Sequence, residues 1–437
     1  MKFKSLILGT SALATAAIIL STAAPALAQR DEIIVTATKR EQTLQQVPVA
    51  VTVVSAETIE RARILDILDL QSVVPSLRVS QLQNSSNTSF IIRGFGNGAN
   101  NVGVEPSVGV FIDGVYRSRS AAQISDLPNI QRVEVLRGPQ STLFGKNASA
   151  GVISVVTKKP SFETEGFIEL GIGNFGARQF KGYLSGPLSD KVAYSLGGTI
   201  NKRDGYTENI ALGTRISDRD RFGVRGELLF EPTDNSSWRL IVDYDEIDEA
   251  CCTVANLVNG PTGGLLPFLG GTTVAEDPFS YQVALNFDPI NTAQNGGVSF
   301  HGDVDFENFT FTTISSYRSS NTQRDGDVDF TSVDLLGGNQ QDIQIDTFTQ
   351  ELRLASNGDN RFHWLVGGFY FEENIDQTDN VTFGTAFRSF VNLLADPTGA
   401  TDTLSGLELA LGLPIGTTFH QPGQGVFEVA RQDNKAF

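Results

Sequence analysis

The chain has 437 residues, with 33 lysines and arginines against 50 aspartates and glutamates, and a formal net charge of −17. Because nucleic-acid phosphates require a basic surface, this balance argues against nucleic acid as a partner. The 43 glycines, 29 phenylalanines and 2 cysteines do not fit a disulfide-rich secreted scaffold. No apolar run of about eighteen residues occurs after the N-terminal region, so no transmembrane helix is expected in the rest of the chain. Transmembrane strands need only roughly ten residues of alternating polarity, so a membrane β-barrel is still possible.

The N-terminus has the three parts of a secretory signal peptide, which we assign to residues 1–28. Lys2 and Lys4 give a positive start, an apolar core runs over residues 6–20, and Ala26-Leu27-Ala28 supplies the small residues of a cleavage site. Cleavage is expected between Ala28 and Gln29. An uncleaved membrane anchor is the weaker alternative, because the segment is short and rich in alanine.

A short extended segment is predicted directly after the signal peptide. It comprises Asp31, Glu32, Ile33, Ile34, Val35, Thr36 and Ala37. Ile33 and Val35 would lie on one face of a strand whose backbone is free, which is what addition to the sheet edge of a partner protein requires. The polar residues that follow complete a flexible region over residues 29–46.

Residues 47–160 predict a mixed α/β domain, because short strands, short helices and glycine turns alternate along them. The expected elements are a strand at 47–54, a helix at 56–63 capped by Ser55, a helix at 64–73 ended by Pro75, and strands at 90–93, 108–112 and on both sides of the turns at Gly138-Pro139 and Gly145.

Residues 161–437 alternate apolar and polar side chains along successive predicted strands. One strand sets Phe222, Val224, Leu228 and Phe230 against Arg221, Arg225 and Glu227. Such faces suit a sandwich or a lipid-facing barrel with a polar lumen. Short connections alternate with long ones, which favours an outer-membrane barrel. We predict about nine strands, with His301 facing the lumen.

Three motifs within residues 47–160 carry a family resemblance. They are Phe90-Ile-Ile-Arg93-Gly94-Phe95-Gly96, Val110-Phe-Ile-Asp113-Gly114-Val-Tyr116, and Arg137-Gly138-Pro139 through Phe144-Gly145 to Gly151-Val-Ile153. In this order they resemble the plug domain of TonB-dependent outer-membrane receptors of the siderophore-receptor type. The resemblance implies a mixed α/β plug followed by an antiparallel transmembrane β-barrel.

The resemblance also implies roles and partners. Residues 31–37 match the TonB box, and no extra domain fits ahead of them, which points to a plain transporter. Arg93 and Arg137 match plug arginines that meet carboxylates on the inner wall of the barrel, with ordinary surface arginines as the alternative. The implied partners are TonB with its inner-membrane energy-transducing complex, outer-membrane lipid and a scarce ligand. A ferric siderophore is the commonest such ligand, while haem, cobalamin, sugars and plant-derived aromatics stay open.

Other classes of function have weaker support. A passive plugged porin or an adhesin would not need the extended segment behind the signal peptide. Neither Gly94–Gly98 nor Gly145-Lys146 has the spacing of a nucleotide-binding loop, and no catalytic triad or paired carboxylates can be argued, so we expect no enzyme activity, cofactor or metal site. Cys251 and Cys252 are adjacent and could form a disulfide. The acidic stretch at 245–294 is expected to be a solvated loop, with a cationic substrate or a weakly held metal as the alternative.

The predicted strand number is too small to enclose the predicted plug. About nine strands close to a radius near 9 Å, whereas a plug of about 115 residues has an outer radius of roughly 17 Å. The 22 strands of the family barrel give a radius of roughly 22 Å. We therefore expect an incomplete barrel, with truncation favoured over assembly from several chains. Residues 431–436 do not alternate as a last strand should.

Overall fold

The computed structural model describes residues 33–36, 38–81, 84–97, 101–119, 126, 128–254, 256–357 and 361–437. The chain forms two compact units, residues 1–47 and residues 48–437. In the first unit, β1 (Ile34–Val35) pairs antiparallel with β2 (Gln42–Thr43). The predicted signal peptide, its cleavage site at Ala28 and Gln29, and Asp31, Glu32 and Ala37 lie outside the described residues.

Residues 48–160, which we call the plug, contain a mixed five-stranded sheet and a separate hairpin. The strands are β3 (Ala50–Ser55), β4 (Leu77–Gln81), β5 (Thr88–Ile92), β6 (Val108–Ile112), β7 (Val115–Arg117), β8 (Ile130–Arg137) and β9 (Gly151–Thr157). The sheet has the order β3-β8-β9-β6-β7 and the hairpin pairs β4 with β5. Their apolar faces build the main core, to which the rest of the described chain adds buried members only at Ile247 and Ala293.

The two predicted helices of the plug differ in outcome. Helix α1 (Ala56–Arg61) begins as predicted, because the Ser55 hydroxyl accepts the Thr58 backbone N–H at 3.3 Å. The predicted helix at 64–73 is instead a short 3₁₀ helix at Ile67–Ser72. The reason is a local cap: Asp66 accepts two backbone N–H groups at the start of this helix, and Asp69 takes the Leu65 N–H at 2.9 Å. A further helix, α2 (Ser141–Phe144), was not predicted.

The second half of the chain forms one antiparallel sheet of ten strands, which we call the wall. Its strands are β10 (Glu165–Ile172), β11 (Arg178–Ser189), β12 (Val192–Arg203), β15 (Arg219–Thr233), β16 (Ser236–Glu249), β18 (Ile290–Asp305), β19 (Phe309–Asp325), β20 (Leu336–Ser356), β21 (Leu365–Phe383) and β22 (Gly425–Ala436). Each described strand pairs with its neighbours in chain order, and β10 and β22 lie at opposite edges, so the sheet is open.

The wall has one strand more than predicted, and the difference lies at its last strand. Residues 431–436 belong to β22, although their side chains do not alternate between apolar and polar. Backbone pairing with β21 forms this strand, from Phe371 opposite Ala436 to Thr382 opposite Gly425. The missing alternation, which argued against a last barrel strand, did not prevent this pairing, because backbone groups make it and need no side-chain pattern.

Short and long connections alternate along the wall from β11 onward, as predicted, whereas the connection at 173–177 before β11 is also short. Short ones occupy 190–191, 234–235, 306–308 and 357–364, and long ones 204–218, 250–289, 326–335 and 384–424. The long connections carry β13 (Thr207–Asn209), β14 (Thr214–Ile216), β17 (Gln282–Val283), a 3₁₀ helix (Pro261–Leu269), α3 (Phe387–Ala395) and α4 (Thr403–Ala410). Among the described residues, no helix is both long and apolar enough to cross a membrane.

The two faces of the wall carry opposite kinds of side chain. Phe222, Val224 and Leu228 on β15 are exposed, whereas Arg221 and Arg225 on the same strand are only 4% exposed. The predicted alternation is therefore confirmed. Because the apolar face is outside and the charged face is buried, the wall has the inverted arrangement of a lipid-facing sheet.

Candidate functional site

A buried ionic cluster joins the plug turn after β6 to two wall strands. Asp113 adopts a φ of 50°, and its carboxylate accepts the Thr157 backbone N–H at 2.9 Å and the Thr157 hydroxyl at 2.8 Å. Arg225 on β15 donates to the same carboxylate, and Arg239 Nη1 on β16 lies 3.6 Å from it. Glu227 accepts the Nε–H groups of both arginines at 2.7 Å. These four side chains form the Asp113 cluster, with two guanidinium groups and two carboxylates, and Asp243 lies 3.6 Å from Arg225 Nη1 at its edge.

The Asp113 cluster is almost completely dry. None of its four ionic side chains is more than 8% exposed. Burial by itself would raise the pKa of Asp113, but Arg239 and Arg225 outweigh burial, and this pKa lies well below its ordinary value. His301 lies on the buried face of β18, as predicted, with its Nε2 3.0 Å from the Ser299 hydroxyl.

A second cluster binds the 3₁₀ helix of the plug to the wall. Arg221 Nη1 lies 2.7 Å from Asp66, its Nε donates to Glu249 at 2.7 Å, and Asp126 lies 3.7 Å away. Arg219 lies 3.7 Å from Asp66. Three carboxylates therefore share two arginines. Consistent with this excess of negative charge, burial raises the pKa of Asp126 to about 6 even though Arg221 lowers it.

Two further ion pairs between plug and wall have the opposite arrangement of charge. In these pairs the plug contributes the arginine and the wall contributes the carboxylate. Arg117 lies 3.7 Å from Asp243, which Arg318 also holds with two hydrogen bonds of 2.8 and 2.6 Å. Arg119 Nη2 lies 2.9 Å from Glu373, a side chain with no exposed surface. Charges of both signs on the plug therefore meet their opposites on the wall.

The two arginines chosen from the sequence take other positions. Arg93 is exposed, with a φ of 53°, and its backbone N–H donates to the Ser76 carbonyl at 2.9 Å. Arg137 is half-buried at the end of β8. In the described part of the chain neither forms an ion pair, and their contact with wall carboxylates stays a prediction.

The arginines that do pair were not among those predicted from the sequence. Arg117 and Arg119 follow the Asp113-Gly114 motif in the chain. The two arginines are two residues apart, so in an extended segment their side chains lie on the same side. Arg221 and Arg225 were assigned to the polar face of a strand. Their alternation with apolar residues was the available signal, but it does not tell which plug residue each one meets.

The extended segment near the N-terminus is only partly exposed. Ile33 and Ile34 are 47% and 50% exposed, whereas Val35 has no exposed surface. The Leu44 N–H donates to the Ile33 carbonyl at 2.8 Å, so β2 occupies one backbone edge of β1. The expectation of a free backbone is therefore wrong for that edge. Within the described residues the two strands form a sheet of their own, so no strand pairs with the other edge of β1.

Two clefts lie between the plug and the long-loop edge of the wall. The inner cleft, of only about 30 Å³, is lined by Ser86, Thr88 and Arg119 of the plug and by Arg324 of β19. The outer cleft, of about 260 Å³, is also lined by Arg324. Its further lining includes Asn84, Asn87, Asp325, Asp327, Asn339, Gln341 and the disulfide-bonded pair Cys251–Cys252. No group of three or more His, Cys, Asp or Glu side chains in the described chain is placed to hold a metal ion.

Comparison with known proteins gives matches to both halves of this arrangement. Residues 43–152 match the family described as TonB-dependent Receptor Plug Domain. The pesticin receptor of Yersinia pestis is 28% identical over 347 residues, which cover 78% of this chain and 48% of that protein. The vitamin B12 transporter BtuB of Vibrio vulnificus is 30% identical over 208 residues, covering 46% of this chain and 32% of that protein.

Solved structures match the fold. The ferric yersiniabactin uptake receptor FyuA from Yersinia pestis aligns with a TM-score of 0.63 at 24% identity, covering 77% of this chain and 50% of that one. The ferripyoverdine receptor of the Pseudomonas aeruginosa outer membrane aligns with a TM-score of 0.65 at 17% identity, covering 92% and 51%. The chain spans about half the length of the pesticin receptors it matches, at 48% and 45%.

The curated matches are receptors and a transporter rather than enzymes. The plug match covers the sheet that carries Asp113, and the aligned structures are receptors with the same kind of wall. From these similarities, we conclude that residues 43–152 form a plug domain of the TonB-dependent receptor family and that the chain shares the fold of the aligned receptors.

Proposed function

We propose that this chain takes part in active transport of a scarce ligand across the outer membrane of a Gram-negative bacterium, with TonB as the energy-supplying partner. The segment at residues 31–37 serves as the TonB box. A ferric siderophore is the first candidate ligand, in line with the ferric yersiniabactin and ferripyoverdine receptors that share the fold. A signal peptide cleaved after Ala28 directs the chain out of the cytoplasm.

The chemistry of the plug–wall interface carries this proposal. Among the described residues the wall adds only Ile247 and Ala293 to the buried apolar core of the plug, whereas ion pairs and hydrogen bonds make the plug–wall contacts described above. Buried ion pairs add little stability over well-packed apolar contacts. Water can replace polar partners when a plug shifts, so a plug held this way can move and keep its core.

The test is growth of a deletion strain on a panel of iron chelates and carbon sources, with and without TonB. We expect one class of compound to support growth only when both this gene and TonB are present. Growth that needs the gene but is indifferent to TonB would replace active transport with a passive plugged pore. Unchanged growth on every compound, together with unchanged cell adhesion, would remove both functions.

A further inference from the structure

The disulfide between Cys251 and Cys252 joins two adjacent residues, and these are the 2 cysteines of the chain. A disulfide stabilises a fold mainly by closing a loop in the unfolded chain, and its effect grows with the number of residues in that loop. The Cys251–Cys252 bond closes no such loop, because its sequence separation is 1. It therefore lacks the usual stabilising role of a structural disulfide.

The chain that leads into this disulfide is held by contacts that do not involve sulfur. The Ala250 N–H donates to the Asp218 carboxylate at 2.7 Å, and the Ala250 carbonyl accepts the Ser217 N–H at 2.8 Å. Ala250 also packs against a small apolar cluster in the long connections, and Glu249 accepts the Nε–H of Arg221 at 2.7 Å. None of these contacts needs the sulfur–sulfur bond, so the fold around it can persist when the bond is open.

The disulfide is accessible from the outer cleft. Cys251 is 8% exposed, whereas Cys252 is only half-buried, and both residues line the cleft. The cleft volume of about 260 Å³ is many times the roughly 10–15 Å³ that one water molecule requires. A molecule of a few heavy atoms therefore has room beside the disulfide, and Cys252 is the more exposed of the two cysteines.

We propose that Cys251–Cys252 is a reversible thiol-exchange site, which small thiols reach through the outer cleft. The thiolate of the small molecule attacks Cys252 Sγ, the sulfur–sulfur bond breaks, and Cys251 leaves as a thiolate that takes up a proton. A second thiolate then attacks the mixed disulfide at the sulfur of the small molecule and releases Cys252. Two small thiols are thereby oxidised to one disulfide, and the two cysteines are reduced to thiols. The exchange does not depend on which compound the chain transports.

The first test compares a small thiol with a large one. Cysteamine and a thiol-terminated polyethylene glycol are each incubated with the purified protein, in detergent and again in urea. Iodoacetamide then alkylates free thiols, and mass spectrometry counts the alkylated cysteines. We expect cysteamine to reduce the folded protein within about tenfold of its rate in urea, and the polymer to react at a measurable rate only in urea. Reduction by cysteamine only in urea, or equal reaction of both thiols with the folded protein, overturns the proposal.

The second test measures the stability of the reduced protein and the state of its two thiols. Reduction with cysteamine should leave the urea midpoint unchanged, because the bond closes no loop. Phenylarsine oxide bridges two adjacent thiols, so it should bind the reduced protein one to one, whereas Cys251→Ala, with its single thiol, should not retain it. A lower urea midpoint after reduction, or equal retention of arsenic by the reduced protein and Cys251→Ala, removes the thiol-exchange role.

Discussion

The substitution Asp113→Asn tests whether ion pairs hold the plug in the wall. In the native cluster Arg225 and Arg239 face two carboxylates, Asp113 and Glu227. Asparagine has the same shape as aspartate and can still accept the Thr157 N–H. It removes one of the buried carboxylates that neutralise Arg225 and Arg239, so the effect reports charge rather than packing.

The structure sets the size of the expected effect. Removing one partner of a buried ion pair costs about 3–5 kcal/mol. Solvent gives little relief in this cluster, because the Asp113 and Arg225 side chains are each only 4% exposed. The matched control is Asp220→Asn. Asp220 pairs with Lys202 at 2.7 Å, but the two side chains are 40% and 56% exposed, and we expect about 0–1 kcal/mol.

The assay is urea unfolding of the purified protein in detergent, repeated across pH. The folded pKa of Asp113 is depressed, so its contribution is fully present above the ordinary pKa near 3.9 and is lost as pH falls through the folded pKa. The difference between wild type and Asp113→Asn should therefore be largest at neutral pH and should shrink below about pH 4. Equal losses of unfolding free energy in Asp113→Asn and Asp220→Asn would refute the reasoning. A difference between wild type and Asp113→Asn that does not change with pH would refute it as well.

Three further predictions follow from other parts of the chain. Because the pKa of Asp126 is raised to about 6, the folded protein should lose about 3 kcal/mol of stability as pH rises from about 4 to 6, and Asp126→Asn should flatten this slope in urea unfolding. The Glu408 carboxylate accepts a hydrogen bond from Arg388 at 2.9 Å and hydrogen bonds from three backbone N–H groups. Glu408→Gln should therefore speed chymotrypsin cleavage within 384–424, whereas Glu428→Gln, at an exposed residue, should not. Val35→Pro removes a backbone donor and should abolish TonB-dependent uptake while cell-surface ligand binding persists; uptake at the native rate would contradict the role of this segment.

Periodicity predicted the wall well because each side chain of a strand reports its own face. The exposed Phe222 and buried Arg221 alternate in the structure as they do in the sequence. Periodicity did not predict the effect of local helix capping. The side chains of Asp66 and Asp69 accept backbone N–H groups and so shorten the predicted helix. The strand β22 escaped prediction because its pairing uses backbone groups alone.

The site itself was only partly predictable. The motif containing Asp113 was recognised, but its partner Arg225 lies 112 residues away, and no spacing rule links them. A sequence shows that a strand has a polar face without showing what that face meets.

The claim that TonB engages this chain has a direct test that does not require the ligand. A photo-crosslinking amino acid is placed at Ile34, which is 50% exposed, and in a separate variant at Phe268 in a long connection, which is 72% exposed. After irradiation of living cells, a TonB-containing adduct should form from position 34 and not from position 268. No adduct from position 34, or equal adducts from both positions, would contradict the account.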